Sequence, residues 1–496
     1  MSVEAQSSDV EQLNFAVSFT IISILSGCLT LYAYGMNTGG PVIMNIGWPL
    51  VGIMVTLVGL AMAEVCSSYP TAGGLYYWAA KLGGNNSAAW SWFTGWFNLL
   101  GQIAVTAGID FGGAFFMSAL FNQLFNYTLD PPHIIAVYAV ILFLHGLLNT
   151  FGVRLVALLN DISVWWHLVG VAIIFVVLFF LPSHHQSAGF VFTKFVNNTG
   201  FGNSIYVFMI GLLLAQYTFT GYDASAHMTE ETRNAAVAGP RGIVWSIVVS
   251  LFAGWVLLIA VTAAIQDYDA ERMAVVPPAQ IFVDAVGHNL GTFLLFIVVG
   301  AQFYCGMSSV TANSRMIYAF SRDGAVPGSQ FWHRINPRTR TPTNSIWFAA
   351  VGAFILGLPY LWNPVAYAAV TSIAVIGLYI AYGLPILLRL LAGEKFQRGP
   401  WHLGRWSYIV GWIAVVWIGF IAILFVLPQT APGNTLQTFN YAIVAVAVVL
   451  LYSGGYWFLS AKNWFKGPKV QGSAEELARI EAELEAVGSA APAPSR

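Results

Sequence analysis

The run YTFTGYDASAHMTEE, Tyr217 to Glu231, continues an apolar segment that begins near Ile205 and places Gly221, Asp223, His227, Glu230 and Glu231 within it and just beyond it. Such a stretch does not easily stay one continuous helix. In hydrocarbon every backbone N–H and C=O needs a partner, so an interrupted helix persists only where its freed groups line a protein cavity. A cavity at mid-membrane is a binding site.

The rest of the chain supplies the membrane setting. Charged residues are 8% of it and hydrophobic residues 57%, against roughly a quarter charged in a soluble domain. Twelve stretches are each about long enough to cross roughly 30 Å of hydrocarbon at about 1.5 Å per residue. They cover 15–40, 48–67, 88–121, 132–149, 156–182, 205–230, 242–265, 280–318, 344–361, 364–391, 407–428 and 436–460. The third and eighth are too long for upright helices and are expected to tilt or run past the membrane face. The fold class is therefore all-α integral membrane, with 12 transmembrane helices. Of the 20 Lys and Arg residues, all but Lys194 and Arg272 fall on one side if the N-terminus is cytoplasmic, so both termini are expected in the cytoplasm.

Residues 1–14 are polar and acidic, with no pattern of a removable signal peptide. The three cysteines, Cys28, Cys66 and Cys305, lie in or at the ends of apolar spans and offer neither a disulfide framework nor zinc-ligand spacing. In the tail, 461–496, Leu477, Ile480 and Leu484 recur at helical spacing before a Pro-rich end. The expectation there is an exposed amphipathic helix followed by disorder.

The first span, FAVSFTIISILSGCLTLYAYGMNTGGP, carries Ser26 and Gly27 near its centre and is expected to unwind there. Five spans separate this interruption from the one at Gly221. The first five helices (15–182) and the next five (205–391) would then form an inverted repeat, with helices 11 and 12 (406–460) outside it. Discontinuous helices in corresponding positions point to a transporter's binding site.

Five stretches together carry a family resemblance: SILSGCLTLYAYGMNTGGP (23–41), AEVCSSYPTAGGLYYWAAKLGG (63–84), LLNTFGVRLVALLNDISVWWH (147–167), FTGYDASAHMTEET (219–232) and SRMIYAFSRDGAVP (314–327). On them the chain resembles the amino acid–polyamine–organocation superfamily, and within it the amino acid/choline branch that includes GABA permeases. The resemblance implies the LeuT-like fold of five plus five inverted helices, alternating access, and import of a small molecule across the plasma membrane. Only the resemblance, not the physics of the spans, points to amino acids.

A helix resuming after Ser26-Gly27 presents unpaired N–H groups and a positive dipole end, which suits a carboxylate. The substrate carboxylate is accordingly assigned to amides around Gly27, Cys28 and Leu29, helped by the Ser26 or Thr30 hydroxyl. Carbonyls of Tyr217, Thr218, Phe219 and Thr220 would receive the substrate amine beside Gly221. Phe219 and Tyr222 either cover the ligand, with cation–π attraction to its ammonium, or simply pack.

Ionisable groups at membrane depth need a role. Asp223 follows the break and either holds its shape or joins a proton path. His167 stands thirteen residues after Arg154, which marks the inner face, and so about 20 Å deeper. In many proton-coupled relatives that the resemblance brings in, a Lys stands at this distance from the G-x-K/R motif, matched here by Gly152, Val153 and Arg154. Histidine in its place titrates near physiological pH and can carry a proton, or it serves as an internal hydrogen-bonding group. Asp110 either attracts a substrate amine or caps packing, and His145 reads as structural. Glu64 lies at the inner end of the second span, and Glu230 and Glu231 lie near Arg233 in a solvated or gating position. Hydroxyls of Ser308, Ser309 and Thr311 keep a sodium site open as the alternative to protons.

No nucleophile–base pair, phosphate loop or metal cluster has usable spacing. Neither an enzyme nor a nucleic-acid partner is expected, and no cofactor or metal. Open alternatives within the fold are a choline or polyamine permease, a channel, and a transport-inactive nutrient sensor.

Overall fold

The computed structural model describes residues 15–468 apart from Ala72, Glu230, Glu231 and Arg233. The expectations for Glu230, Glu231, Arg233, the first 14 residues and the tail helix around Leu477 lie outside the described residues. Among the described residues, eleven helices are long and apolar enough to cross a membrane. The chain runs through α1 (Phe15–Asn37), α2 (Trp48–Ser68), α3 (Ser87–Phe125), α4 (Pro131–Phe151), α5 (Val153–Phe180), α6 (Ser204–Thr218), α7 (Ala235–Ala263), α8 (His288–Arg322), α9 (Thr343–Gly357), α10 (Val365–Ala392), α11 (Ser407–Leu424) and α12 (Ala442–Leu459). The exception is α6, shortened because the chain unwinds after Thr218 and resumes as a single turn, Ala224–His227.

Two expected boundaries are corrected. The eighth span starts later than residue 280: Pro277–Val286 is a separate helix, ended by Gly287 at φ 84°, and α8 begins at His288. The first span breaks at Ser23 rather than at Ser26-Gly27. Ser23 sits at φ 43° and ψ 75°, and Ser26 and Gly27 belong to the helix that resumes at Ile24.

The broken helices lie at the centre. Residues 16–29 of α1 are all buried, and so are Leu213–Thr218 of α6. Around them α3 packs along α8 and α10, α2 along α7 and α11, and α5 against α7 and α8. Towards the outside the surfaces turn apolar again, as expected of faces that meet lipid tails rather than water. Trp165 and Phe180 on α5 are exposed, as are Leu451 and Leu459 on α12, which buries only Ala442 and Ser453.

Polar contacts tie both ends of the bundle. At the basic end Glu64 of α2 meets Arg389 of α10 (Oε2 to Nε, 3.1 Å), accepts from the Ser407 hydroxyl of α11, and receives the Leu403 amide at 3.3 Å. The guanidinium lies 4.8 Å from both the Phe396 and the Tyr408 ring centroids. The short helix Gly74–Leu82 closes the same end, with the Tyr76 hydroxyl donating to Asp323 at 2.7 Å. At the opposite end Thr38 and Gly39 pair antiparallel with Asn197 and Val196. There the Tyr268 hydroxyl donates to the Met36 carbonyl at 2.5 Å, and Arg272 reaches Asn37 at 3.4 Å.

Candidate functional site

Gly221 lies at φ 86°, a left-handed conformation that glycine adopts without steric cost. A Cβ there would sit 2.2 Å from Ile21 Cγ2, so the two breaks can touch only with glycine at this position. Gly27 is not the hinge its sequence position suggested but a contact point: a Cβ would fall 2.4 Å from Thr218 Cγ2.

Hydroxyls satisfy much of what the sixth-span break frees. The Tyr217 carbonyl accepts from Thr220 (2.7 Å), the Phe219 carbonyl from Tyr379 (2.5 Å) and the Tyr222 carbonyl from Ser18 (3.0 Å). Asp223 is fully buried behind the break. Its carboxylate accepts from Tyr382 of α10 at 2.7 Å and from Gln102 of α3 at 2.8 Å, with His227 Nε2 3.3 Å away. Three elements thereby converge on one carboxylate and hold the irregular segment in shape.

Between the breaks is a small cavity of about 10 Å³. Of the residues expected to bind substrate, Ser26, Gly27, Thr30, Tyr217, Thr218 and Thr220 line it. Ile21, Ile22, Ile109, Gln302 and Cys305 complete the wall, and sequence reading did not assign them there. The remaining candidates point elsewhere. Phe219 packs on Trp48 (4.5 Å between centroids), Tyr222 on Tyr382 (5.1 Å), and Cys28 against the backbone of Gly254. Cys28, Leu29 and Gly221 are buried without reaching the cavity surface. The amides of Ser26 and Gly27 both donate to the Ser23 carbonyl, at 3.0 and 2.6 Å.

No charged side chain lines the cavity, and two polar atoms in its wall, the Tyr217 hydroxyl and Gln302 Oε1, have no hydrogen-bond partner among the described residues. Buried polar groups normally have partners, so these two atoms are open hydrogen-bonding positions in the cavity wall. Two larger hollows lie away from the breaks. One of about 450 Å³ is an almost wholly apolar groove by Leu50, Phe208 and Trp417, and another of about 750 Å³ opens between α3 and Pro277–Val286. Neither touches a helix break, so the small central cavity is the candidate site.

His167 reaches the first-span break directly. Its Nδ1 lies 2.7 Å from the Ser163 carbonyl and its Nε2 2.7 Å from the Ser23 hydroxyl, which in turn accepts from Ser26 at 2.6 Å. Asp110 does not line the cavity. It stands behind Ile109 and pairs with His145 of α4 (3.2 Å), both side chains fully buried, a pairing across two helices that spacing along the chain does not reveal. Ser308, Ser309 and Thr311 do not converge. Ser308 donates to Asn160 (2.5 Å), Ser309 shares a hydrogen bond with Thr106 (2.8 Å), and Thr311 donates to Asn149 (2.5 Å). Outside the spans, burial pushes the Glu271 carboxyl up to about 7, with Asp284 nearby adding to the rise and the Gln266 amide opposing it.

Comparison with known proteins agrees with this architecture. The family model described as amino acid permease matches residues 14–450. The chain is 44% identical to the amino-acid permease BAT1 homolog of Oryza sativa subsp. japonica over 92% of its own length and 91% of the relative's. It is 43% identical to the amino-acid permease BAT1 of Arabidopsis thaliana, covering 92% of each. With the GABA-specific permease of Saccharomyces cerevisiae it shares 31% identity over 92% of this chain and 81% of the relative. Two broken helices around a small uncharged cavity, in a multi-pass α-helical chain matched along most of its length, mark a transporter rather than an enzyme: the chain belongs to the amino acid permease family of the amino acid–polyamine–organocation superfamily.

Proposed function

We propose that this permease imports a zwitterionic amino acid of GABA-like size by alternating access, coupled to protons, in the plasma membrane with both termini cytoplasmic. The observation that carries the proposal is the cavity between the breaks. It has donors and acceptors but no charged side chain of its own, so a ligand that brings both charges meets only neutral dipoles, of backbone and side chains. At the start of the resuming α1 helix the Ser26 hydroxyl is the group for the carboxylate, because the Ser26 and Gly27 amides, expected to bind it, are taken by the Ser23 carbonyl. The unwound carbonyls of the sixth span, with Gln302 Oε1 and the Tyr217 hydroxyl, suit an ammonium. Choline and putrescine lack the anionic half and leave the α1 end unmatched.

The size of the cavity supports alternating access. About 10 Å³ holds one water, so an amino acid enters only after the walls part on one side. For protons over sodium, the support is His167 at the first break and the turning of Ser308, Ser309 and Thr311, all on α8, to partners on three different helices.

Purified protein in proteoliposomes should concentrate radiolabelled amino acid, saturably, when an inward proton gradient is imposed, and sodium replacement by potassium should not matter. Strict sodium dependence would move the coupling site. Accumulation of choline or putrescine with no amino acid uptake would overturn the substrate class.

A further inference from the structure

The hydrogen bonds from His167 to the cavity have a direction, and the chemistry of each group fixes it. A carbonyl only accepts, so Nδ1 carries a hydrogen for the Ser163 carbonyl. In the neutral ring Nε2 is then bare and accepts from the Ser23 hydroxyl. Ser23 has one hydrogen and has given it to the ring, so the 2.6 Å contact with Ser26 has Ser26 as donor. Ser26, whose side chain lines the cavity, thereby turns its hydrogen away and shows the ligand only lone pairs.

A proton on Nε2 inverts every bond in the row. The ring now donates to Ser23, the Ser23 hydrogen turns to Ser26, and the Ser26 hydrogen is free for an anionic acceptor in the cavity, its one other acceptor, the Ser23 carbonyl 3.3 Å away, already taking two amides. We infer that protonation of His167 reverses the Ser23–Ser26 hydrogen-bond row and converts Ser26 from an acceptor to a donor facing the ligand, so that carboxylate binding and proton binding favour each other. A carboxylate is acceptor-only: it is repelled by the lone pairs of the neutral form and matched by the donor of the protonated one. Linkage makes the effect reciprocal, the bound carboxylate raising the proton affinity of a ring that it does not touch.

The surroundings leave this row in control. On α1 the ring meets Phe19 edge-on (5.9 Å between centroids), and on α5 the Ser163 hydroxyl, held by Thr20, lies 3.2 Å from Nδ1. On α8 the titratable neighbour is Cys305, beside Ser23 and Ser26, its thiol donating to the Ile21 carbonyl at 3.1 Å. Asp110 of α3 acts on Cys305 from beyond and is itself paired with His145. Among the described residues, no carboxylate, Lys or Arg forms an ion pair or hydrogen bond with the His167 ring. Ser23 and Ser26 are positioning residues for the proton, and Ser26 also meets the ligand.

The inference rests on the amino acid reading of the site, and its test separates the two. Dissociation constants are measured by calorimetry from about pH 5 to 8 for the best-binding member of an amino acid panel that includes GABA, and for the same compound with its carboxylate as a carboxamide. Where His167 is mostly neutral, carboxylate affinity should fall about tenfold per pH unit, with one proton taken up per ligand in the buffer dependence of the heat. The carboxamide can donate to Ser26 and should show a flat or opposite trend. Ser26→Ala, Ser23→Ala and Ser23→Gly, the last suited to the left-handed backbone at that position, should flatten the carboxylate slope while His167 remains. Equal slopes for carboxylate and carboxamide overturn the inference even if no variant folds, as does a full slope in the Ser23 variants. Binding without a linked proton also overturns it and leaves amino acid transport standing. Failure of every amino acid to bind removes both.

Discussion

His167 is buried among groups that can serve either of its charge states, and it is the residue on which the proposed coupling rests. Replacing it with Gln keeps a planar group of similar reach but removes the titration. His167→Gln should retain part of the exchange of labelled for unlabelled substrate while losing proton-driven accumulation, measured in the same proteoliposomes with and without a pH gradient. Unchanged accumulation with wild-type pH dependence would make the histidine structural. A second test at this scale concerns the Asp110–His145 pair, which leaves no room on α8. A Cβ on Gly306 would fall 1.7 Å from Asp110 Oδ1 and 2.6 Å from the His145 ring. Gly306→Ala should therefore cost about 1–3 kcal/mol, visible as a lower melting temperature in detergent. An unchanged melting temperature would mean that the pair can move aside at little cost.

At the scale of elements, the two breaks work only because α1 and the unwound part of the sixth span approach within contact distance. Gly27→Leu and Gly221→Leu would push a branched side chain into Thr218 and Ile21 respectively. Both variants are expected to reach the membrane and to lose uptake by at least about a hundredfold; normal uptake in both would dissociate the breaks from transport. The break at Gly221 was legible because a glycine beside Thr and Asp in an apolar run contradicts a continuous helix. The first break was misplaced by three residues, since Ser26-Gly27 is the more flexible pair on paper. Ser23, in its left-handed conformation, hydrogen-bonds His167, a tertiary partner 144 residues away that local sequence does not announce. Tyr379, Tyr382 and Gln102 carry no signal in the sequence for the same reason. Each is an ordinary polar residue in an apolar helix until the fold brings it to Asp223 or the Phe219 carbonyl. The aromatic candidates Phe219 and Tyr222 had the right position along the chain, but their side chains turn away from the cavity.

Across the whole molecule, the two ends are closed by different physics. At the basic end the buried Glu64–Arg389 pair joins α2 to α10. Breaking such a pair strands a charge and costs about 3–5 kcal/mol, whereas replacing both partners with apolar groups of similar volume is far milder. Arg389→Ala should lower thermal stability sharply, and Glu64→Met with Arg389→Met should recover most of it; no difference between single and double variants would remove the charge argument. At the opposite end Glu271 is raised from its ordinary 4.5 to about 7. The folded protein keeps a proton there that the unfolded chain releases, so stability is fully present below about pH 4.5 and declines as pH rises towards 7. Glu271→Gln should flatten that part of the melting profile, and an unaltered profile would show that the carboxyl titrates normally.

The closed cavity also has an electrical meaning. A pore conducts protons along a file of waters, and a space of about 10 Å³ admits only one. A protein closed to this degree is expected to insulate: a membrane crowded with such molecules should keep its voltage and its pH difference while they idle. Current should flow only during turnover, in proportion to substrate carried. A charged membrane holding this permease without substrate should therefore discharge no faster than bare lipid.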